Sequence, residues 1–265
     1  TAELTVDGPG DVTIGSLETS NAGKEDVVQL DVTHNGGGTL DIIGTSPAID
    51  LDDTTETLTF SGSGNIELGQ EDDPDTPAEN EFNFGINSTG GDGLTSLDAS
   101  ELSGDLDLGV VDSSAINEDD FTLTSSTGTT TVSLGNLSAP VAGENGLTFD
   151  FAGAGDGSEI EFTEGFDTSG FAADQTVSFN LTDGDGNATT TLKVAEGKIV
   201  DLTGEGVSLS DDVDVELAEN STLLVNAEQA AKINDSGDGE LKVDVPDTVS
   251  AGTTETFQAA QLDGE

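Results

Sequence analysis

Ser63-Gly64-Asn65-Ile66-Glu67-Leu68-Gly69 returns forty residues later as Ser103-Gly104-Asp105-Leu106-Asp107-Leu108-Gly109. Each copy is a glycine turn feeding a short strand, with apolar side chains on one face and acidic ones on the other. Looser copies stand at Gly38-Thr39-Leu40-Asp41-Ile42 and Gly239-Glu240-Leu241-Lys242-Val243. Repeated turn-plus-strand units predict stacked rungs or successive sheets. The uneven spacing of the copies leaves both open.

Outward from that unit, period-two alternation dominates. It runs through Ala2-Glu3-Leu4-Thr5-Val6-Asp7, Val28-Gln29-Leu30-Asp31-Val32 and Thr57-Leu58-Thr59-Phe60. It returns in Leu147-Thr148-Phe149-Asp150-Phe151, Val177-Ser178-Phe179-Asn180-Leu181 and Val213-Asp214-Val215-Glu216-Leu217. Gly, Asn, Asp and Ser fill the gaps between these short runs. The expected class is all-β, either a short-strand β-solenoid or tandem β-sandwich-like units, with under about 10% helix. Ala227–Ile233 carries the clearest helical propensity, with Asn226 as its cap. Ser114–Asp120 and Ala259–Leu262 are weaker candidates. The stretch 138–146, with Pro140 and two glycines, is the candidate boundary between a solenoid-like unit, 1–140, and a C-terminal β-rich unit, 141–265. In the second unit the strands and turns look more like hairpins, and phenylalanine is more frequent.

Composition narrows the function. There are 55 acidic residues against five lysines and no arginine, a formal net charge of -50. Phosphate contacts need Lys and Arg, so nucleic acid is excluded as a partner, as is docking on an anionic membrane through a basic patch. A compact chain of this mass exposes on the order of 11,000 Å². That spaces net charges ~14 Å apart, against a Debye length of about 8 Å in physiological salt and about 30 Å in 0.01 M salt. Such a surface fits a halophilic or marine medium, or one rich in calcium. Cys, Met, Trp and Tyr are absent, so stability rests on burial, backbone hydrogen bonds and bound ions rather than disulfides. No apolar run approaches the ~20 residues of a membrane span. The chain opens on Thr1, which reads as a processed chain or a fragment.

Few residues suggest chemistry. Asp183-Gly184-Asp185-Gly186-Asn187 sets oxygen ligands at alternate positions of a tight turn, which suits structural Ca²⁺. Ala188 and Val194 occupy the positions where an EF-hand has its glycine and bidentate glutamate, and Glu196 is the substitute ligand. A Gly-rich hairpin loop is the competing reading. Asp72, Asp73 and Asp75, and Asp211, Asp212 and Asp214, are further acidic groups that read as solvated loops. His34, the single histidine, reads as a surface or turn residue beside Gly36-Gly37-Gly38. No G-x-S-x-G elbow or phosphate-binding loop occurs. Carboxylates are plentiful enough for glycosidase chemistry, but the Trp and Tyr platform that stacks on sugars is missing.

Two segments resemble known proteins. Gly93-Leu94-Thr95-Ser96-Leu97-Asp98-Ala99-Ser100-Glu101-Leu102-Ser103-Gly104-Asp105-Leu106 resembles the L-T-S-I-D-A-S-x-L-T-G-x-L phrase of large bacterial surface-layer and adhesin-like β-strand-repeat proteins. Ser221-Thr222-Leu223-Leu224-Val225-Asn226-Ala227-Glu228-Gln229-Ala230 is similar to their A-T-L-T-L-T-A-x-Q-A phrase. The resemblance covers about a tenth of the chain and implies a secreted, calcium-associated scaffold. The G-G-x-G-x-D nonapeptides common in such proteins are absent.

The expected function is structural and non-enzymatic: a secreted or cell-surface protein forming a surface layer or filament with copies of itself. The alternative is a calcium-dependent adhesin module binding surface glycans, and a secreted polysaccharide-active enzyme ranks last.

Overall fold

A computed structural model describes residues 1–15, 17–19, 27–42, 49–51, 55–68, 86–88, 93–113, 115–182 and 190–244. The chain winds as a series of short strands, coil upon coil. The first coil holds β1 (Ala2–Val6), β2 (Val12–Ile14) and β3 (Leu17–Glu18). The second holds β4 (Gln29–His34), β5 (Thr39–Ile42) and β6 (Ile49–Leu51), and the third β7 (Thr57–Gly62), β8 (Asn65–Leu68) and β9 (Ile86–Ser88). Two coils follow with β10 (Ser96–Leu102) and β11 (Leu106–Val111), then β12 (Asp120–Thr124) and β13 (Thr130–Leu134). The next are β14 (Gly146–Asp150), β15 (Ser158–Phe162) and β16 (Phe166–Asp167), then β17 (Val177–Asn180), β18 (Thr190–Val194) and β19 (Ile199–Asp201). The last are β20 (Val207–Leu209), β21 (Val213–Leu217) and β22 (Thr222–Asn226), then α1 (Ala227–Ala230), β23 (Ile233–Gly237) and β24 (Glu240–Asp244).

Corresponding strands stack in parallel. Face A runs β1-β4-β7-β10-β12-β14-β17-β20, and face B runs β2-β5-β8-β11-β13-β15-β18-β21-β23. A third face carries β3-β6-β9 and β16-β19-β22-β24. The fold is therefore an all-β solenoid, and helix among the described residues is the four-residue α1. The sandwich alternative fails because consecutive strands turn a corner into the next face instead of pairing with each other. Hairpins after residue 141 fail for the same reason: β14 pairs with β12 and β17, not with β15. Face A crosses residues 138–146 without a break, from Asp120↔Gly146 to Thr124↔Asp150.

Each position of the repeated unit has a cause. Gly104 packs so closely on the preceding coil that a Cβ there would strike the Gly64 carbonyl, and one on Gly128 would strike Gly104. Asn65 Oδ1 accepts the Asp105 N–H at 2.9 Å, and Asp105 Oδ1 accepts the Thr129 N–H at 2.9 Å. Leu40, Ile66 and Leu106 then stack in register toward the interior, while Asp41, Glu67 and Asp107 stack outward. Three copies of the unit are thus successive rungs of face B. The fourth, Gly239–Val243, lies on the third face as β24.

The inward ladders are the core. On face A, Leu30, Leu58, Leu97, Leu123, Phe149, Phe179 and Leu209 are in direct register and buried. Burying each contributes about 1.5–3 kcal/mol relative to exposure. On face B the ladder turns polar at Thr130, Ser158 and Thr190, all buried. The Thr130 N–H donates to Ser158 Oγ at 2.9 Å, and Ser126 Oγ meets Thr130 Oγ1 at 2.9 Å, which satisfies most of this polar stripe. The ladder becomes apolar again at Val213 and Ile233.

Candidate functional site

Asp183, Asp185 and Asn187 lie outside the described residues, as do Asp72, Asp73 and Asp75. Glu196 occupies an exposed turn closed by the Lys198 N–H donating to the Ala195 carbonyl at 3.1 Å. That turn follows the C-terminal end of β18. The five residues of β18 span about 16 Å. Asp211 reaches Lys232 at 3.7 Å. Asp212 takes a left-handed backbone, φ 56°, and Asp214 points outward from β21. Among the described residues, no group of three His, Asp or Glu side chains converges as a metal site.

His34 is not the surface residue its glycine neighbours suggest. It is fully buried where coils one, two and three meet. Its Nδ1 faces the Val6 carbonyl at 3.3 Å and its Nε2 the Gly38 carbonyl at 3.0 Å. Gly36 and Gly64 stand where any Cβ would strike the ring. The glycines make a cage for the imidazole, and the histidine ties the first coil to the second.

Among the described residues, counter-charge is concentrated in the C-terminal coils. Lys193 Nζ lies 2.7 Å from Glu159 and 3.4 Å from Glu216, on adjacent rungs of face B. The hydrogen bond to Glu159 raises the Lys193 pKa. Burial pushes the neighbouring Glu161 carboxyl up, while Lys193 pulls it partly back. On the third face, hydrogen bonds from Ser169 hold Asp167 below the ordinary carboxylate range. These contacts brace a stack of acidic strands.

The two ends of the solenoid differ most in chemistry. At the C-terminal end, α1 occupies the place of a further face-A strand. Asn226 and Gln229 form a capping box around it. Gln229 Nε2 donates to the Leu202 carbonyl at 2.7 Å and the Val207 carbonyl at 3.3 Å, and Lys232 Nζ donates to the Leu209 carbonyl at 3.0 Å. The free edge of β20 is therefore occupied. At the N-terminal end, β1 is the outermost strand of face A and β2 of face B. Ala2, Leu4, Val6, Val12, Ile14 and Leu17 pack against the core but remain partly exposed. Their partners one coil inward, Leu30, Val32, His34, Leu40 and Ile42, are buried. The alternation of residues 1–7 marks the first of these strands in the sequence. Val12, Ile14 and Leu17 join them only through the winding, because their own runs are two or three residues long. No family model, no curated protein and no solved structure matches this chain.

Proposed function

We infer that the chain is an extracellular structural protein that assembles with copies of itself into a surface layer or filament in saline or calcium-bearing surroundings. The observation that supports this most is the first coil, whose apolar side chains are half-exposed and whose β1 edge no other described strand covers. Edges of this kind accept a strand from another chain. A net charge of -50 opposes association, so salt or divalent ions are needed to screen it. Calcium held by Asp183, Asp185 and Asn187, with Glu196 as a further ligand, belongs to the same reading. Light scattering and electron microscopy in dilute buffer, in about 1 M NaCl and with added Ca²⁺ test it. Assemblies appearing with salt or Ca²⁺ are expected, and a monomer under every condition overturns the reading. Calorimetry on Asp183→Ala with Asp185→Ala tests the ions: one fewer should bind, with the loss of roughly 2.7 kcal/mol of stabilisation at a hundredfold excess of Ca²⁺ over its dissociation constant. Unchanged stoichiometry overturns the site.

A further inference from the structure

We propose that the outward side of face A is a docking track for a lysine-bearing peptide in the polyproline II conformation, lying along the axis of the solenoid. The track occupies a flank of the molecule and is independent of any self-assembly.

Two rows of side chains make the track. In the first, Thr57, Ser96, Thr122, Thr148, Ser178 and Ser208 follow one another in register on consecutive rungs. Ser208 Oγ donates to Ser178 Oγ at 3.0 Å. The hydroxyls of the other four make no hydrogen bond among the described residues. The second row lies two residues further along each strand, about 6.7 Å away. It reads Asp31, Thr59, Asp98, Thr124, Asp150, so carboxylates alternate with hydroxyls. Each carboxylate is held through one oxygen. Asp31 Oδ1 accepts from Gln29 Nε2 at 2.7 Å, Asp98 Oδ1 from the Ser100 N–H at 2.9 Å, and Asp150 Oδ1 from Asn180 Nδ2 at 2.9 Å. Their Oδ2 atoms accept no hydrogen bond among the described residues. All three aspartates are half-exposed, and no strand of face A contains a lysine.

Spacing selects the shape of the partner. Rungs lie about 4.8 Å apart, so the carboxylates repeat at about 9.6 Å and the three span about 19 Å. A polyproline II helix has three residues per turn and rises about 3.1 Å per residue, so every third side chain returns to one side after about 9.3 Å. Three such side chains stay in step with Asp31, Asp98 and Asp150 to within about 1 Å. An extended strand repeats on one side at about 6.7 Å, and an α-helix at about 10.5 Å every seventh residue. Both fall out of step by about 2 Å or more across the three carboxylates.

The chemistry of the rows agrees. A polyproline II backbone has no internal hydrogen bonds, and the row of hydroxyls beside the carboxylates can donate to its carbonyls. A lysine ammonium is a point donor that one free carboxylate oxygen satisfies, whereas an arginine fork matches both oxygens. Face B offers no such track. Asp41, Glu67 and Asp107 stack on adjacent rungs there, and Lys193 already serves Glu159 and Glu216. Three exposed ion pairs, each worth about threefold in affinity, make a weak and salt-sensitive complex.

Fluorescence anisotropy on the full chain tests this, with a labelled peptide of four Lys-Pro-Pro repeats and one of the same composition whose lysines are contiguous. Physiological salt, with a Debye length of about 8 Å, screens the distant charges. The periodic peptide should bind more tightly than the contiguous one. Asp31→Asn, Asp98→Asn and Asp150→Asn combined should weaken it about thirtyfold. Asp41→Asn, Asp107→Asn and Asp214→Asn combined remove the same charge from face B and should change it less than about threefold. Circular dichroism checks that both variants keep the parent fold. Equal losses in the two triple variants overturn the track, as does a contiguous peptide that binds as tightly, because net charge alone then attracts. No binding of the periodic peptide overturns it too. An amino-sugar oligomer that binds through the three aspartates where the peptide does not overturns the peptide as occupant.

Discussion

The first three coils and the last four are built on the same winding with different materials. Coils one to three are filled by Leu, Ile and Val around Phe60 and His34, and their outer face B stacks Asp41 directly on Glu67. From coil five onward the core turns aromatic. Phe149 and Phe179 stack with centroids 5.1 Å apart, and Phe121 and Phe162 meet that pair edge-on at 6.3 and 6.0 Å. The ion pairs recorded among the described residues all lie between Glu159 and Lys242. In a solenoid each coil contacts only its neighbours, so stability is a local sum and not a shared property. The contrast in packing predicts that the C-terminal part is the harder to open and the N-terminal part the easier.

The sharpest way to break this contrast is to cut one residue from each core. Phe149→Ala should cost about 3–5 kcal/mol, since a fully buried ring held by two other rings leaves a large cavity. Leu4→Ala, on the same face but half-exposed, should cost less than about 1.5 kcal/mol. Urea denaturation of both variants measures the pair, and equal losses would remove the idea of an anchored end.

Salt separates the regions more gently. Like charges directly opposite one another on adjacent strands destabilise by roughly 0.2–1 kcal/mol per pair. Lys193 stands between Glu159 and Glu216 on adjacent rungs. In Lys193→Gln, hydrogen exchange at the amides of β15 to β21 should therefore slow with added NaCl more than in the parent chain, while β4 to β8 respond alike in both. An equal change along the whole chain would show that charge acts globally.

The smallest expected effect sharpens the same point through pH. Glu161 has its folded pKa raised, chiefly by burial, with Lys193 opposing. A carboxyl raised in this way binds its proton more tightly folded than unfolded. Its contribution is present below the unfolded value and is lost as pH rises through the folded value. Lys193→Gln removes the opposing charge and should steepen that loss just above the ordinary carboxylate range, with about 0.5 kcal/mol of the ion pairing lost at neutral pH. Glu161→Gln should flatten it. Thermal melts between acidic and neutral pH read both, and parallel curves for the two variants would count against this account.

Much of the fold is legible in the repeated unit because every residue in it answers a local demand. Glycine is set by the closeness of the next coil, Asn65 and Asp105 by an N–H one rung away, and Ile66 and Leu106 by the interior. Asn226 as helix cap is legible for the same reason, and the structure adds Gln229 as the other half of the box. Features that depend on distant coils are hidden. His34 looks like a turn residue because its cage is assembled from glycines on coils two and three and a carbonyl on coil one. Phenylalanine in alternating runs looks like hairpin core, since a strand's alternation does not say which strand lies beside it. Ser114–Asp120 has helix-compatible residues, but Asn117–Asp119 is a turn that delivers the chain into β12. The N-terminal face is half legible. The strand in residues 1–7 is plain, and its partners at Val12, Ile14 and Leu17 are too brief to announce themselves.

The winding has one more consequence. Between Ile66 and Leu106 the chain spends forty residues, and between Leu106 and Thr130 it spends twenty-four, yet all three side chains arrive in register. What the rungs require is a fixed landing site, not a fixed path length. Segments that leave at a corner are thus free to lengthen, shorten or change composition, and the ladder of side chains beneath them is indifferent to it. Such a chain is a shelf: its corners can carry foreign sequence, from an epitope to a small folded module, at a spacing fixed by the rungs rather than by the passenger.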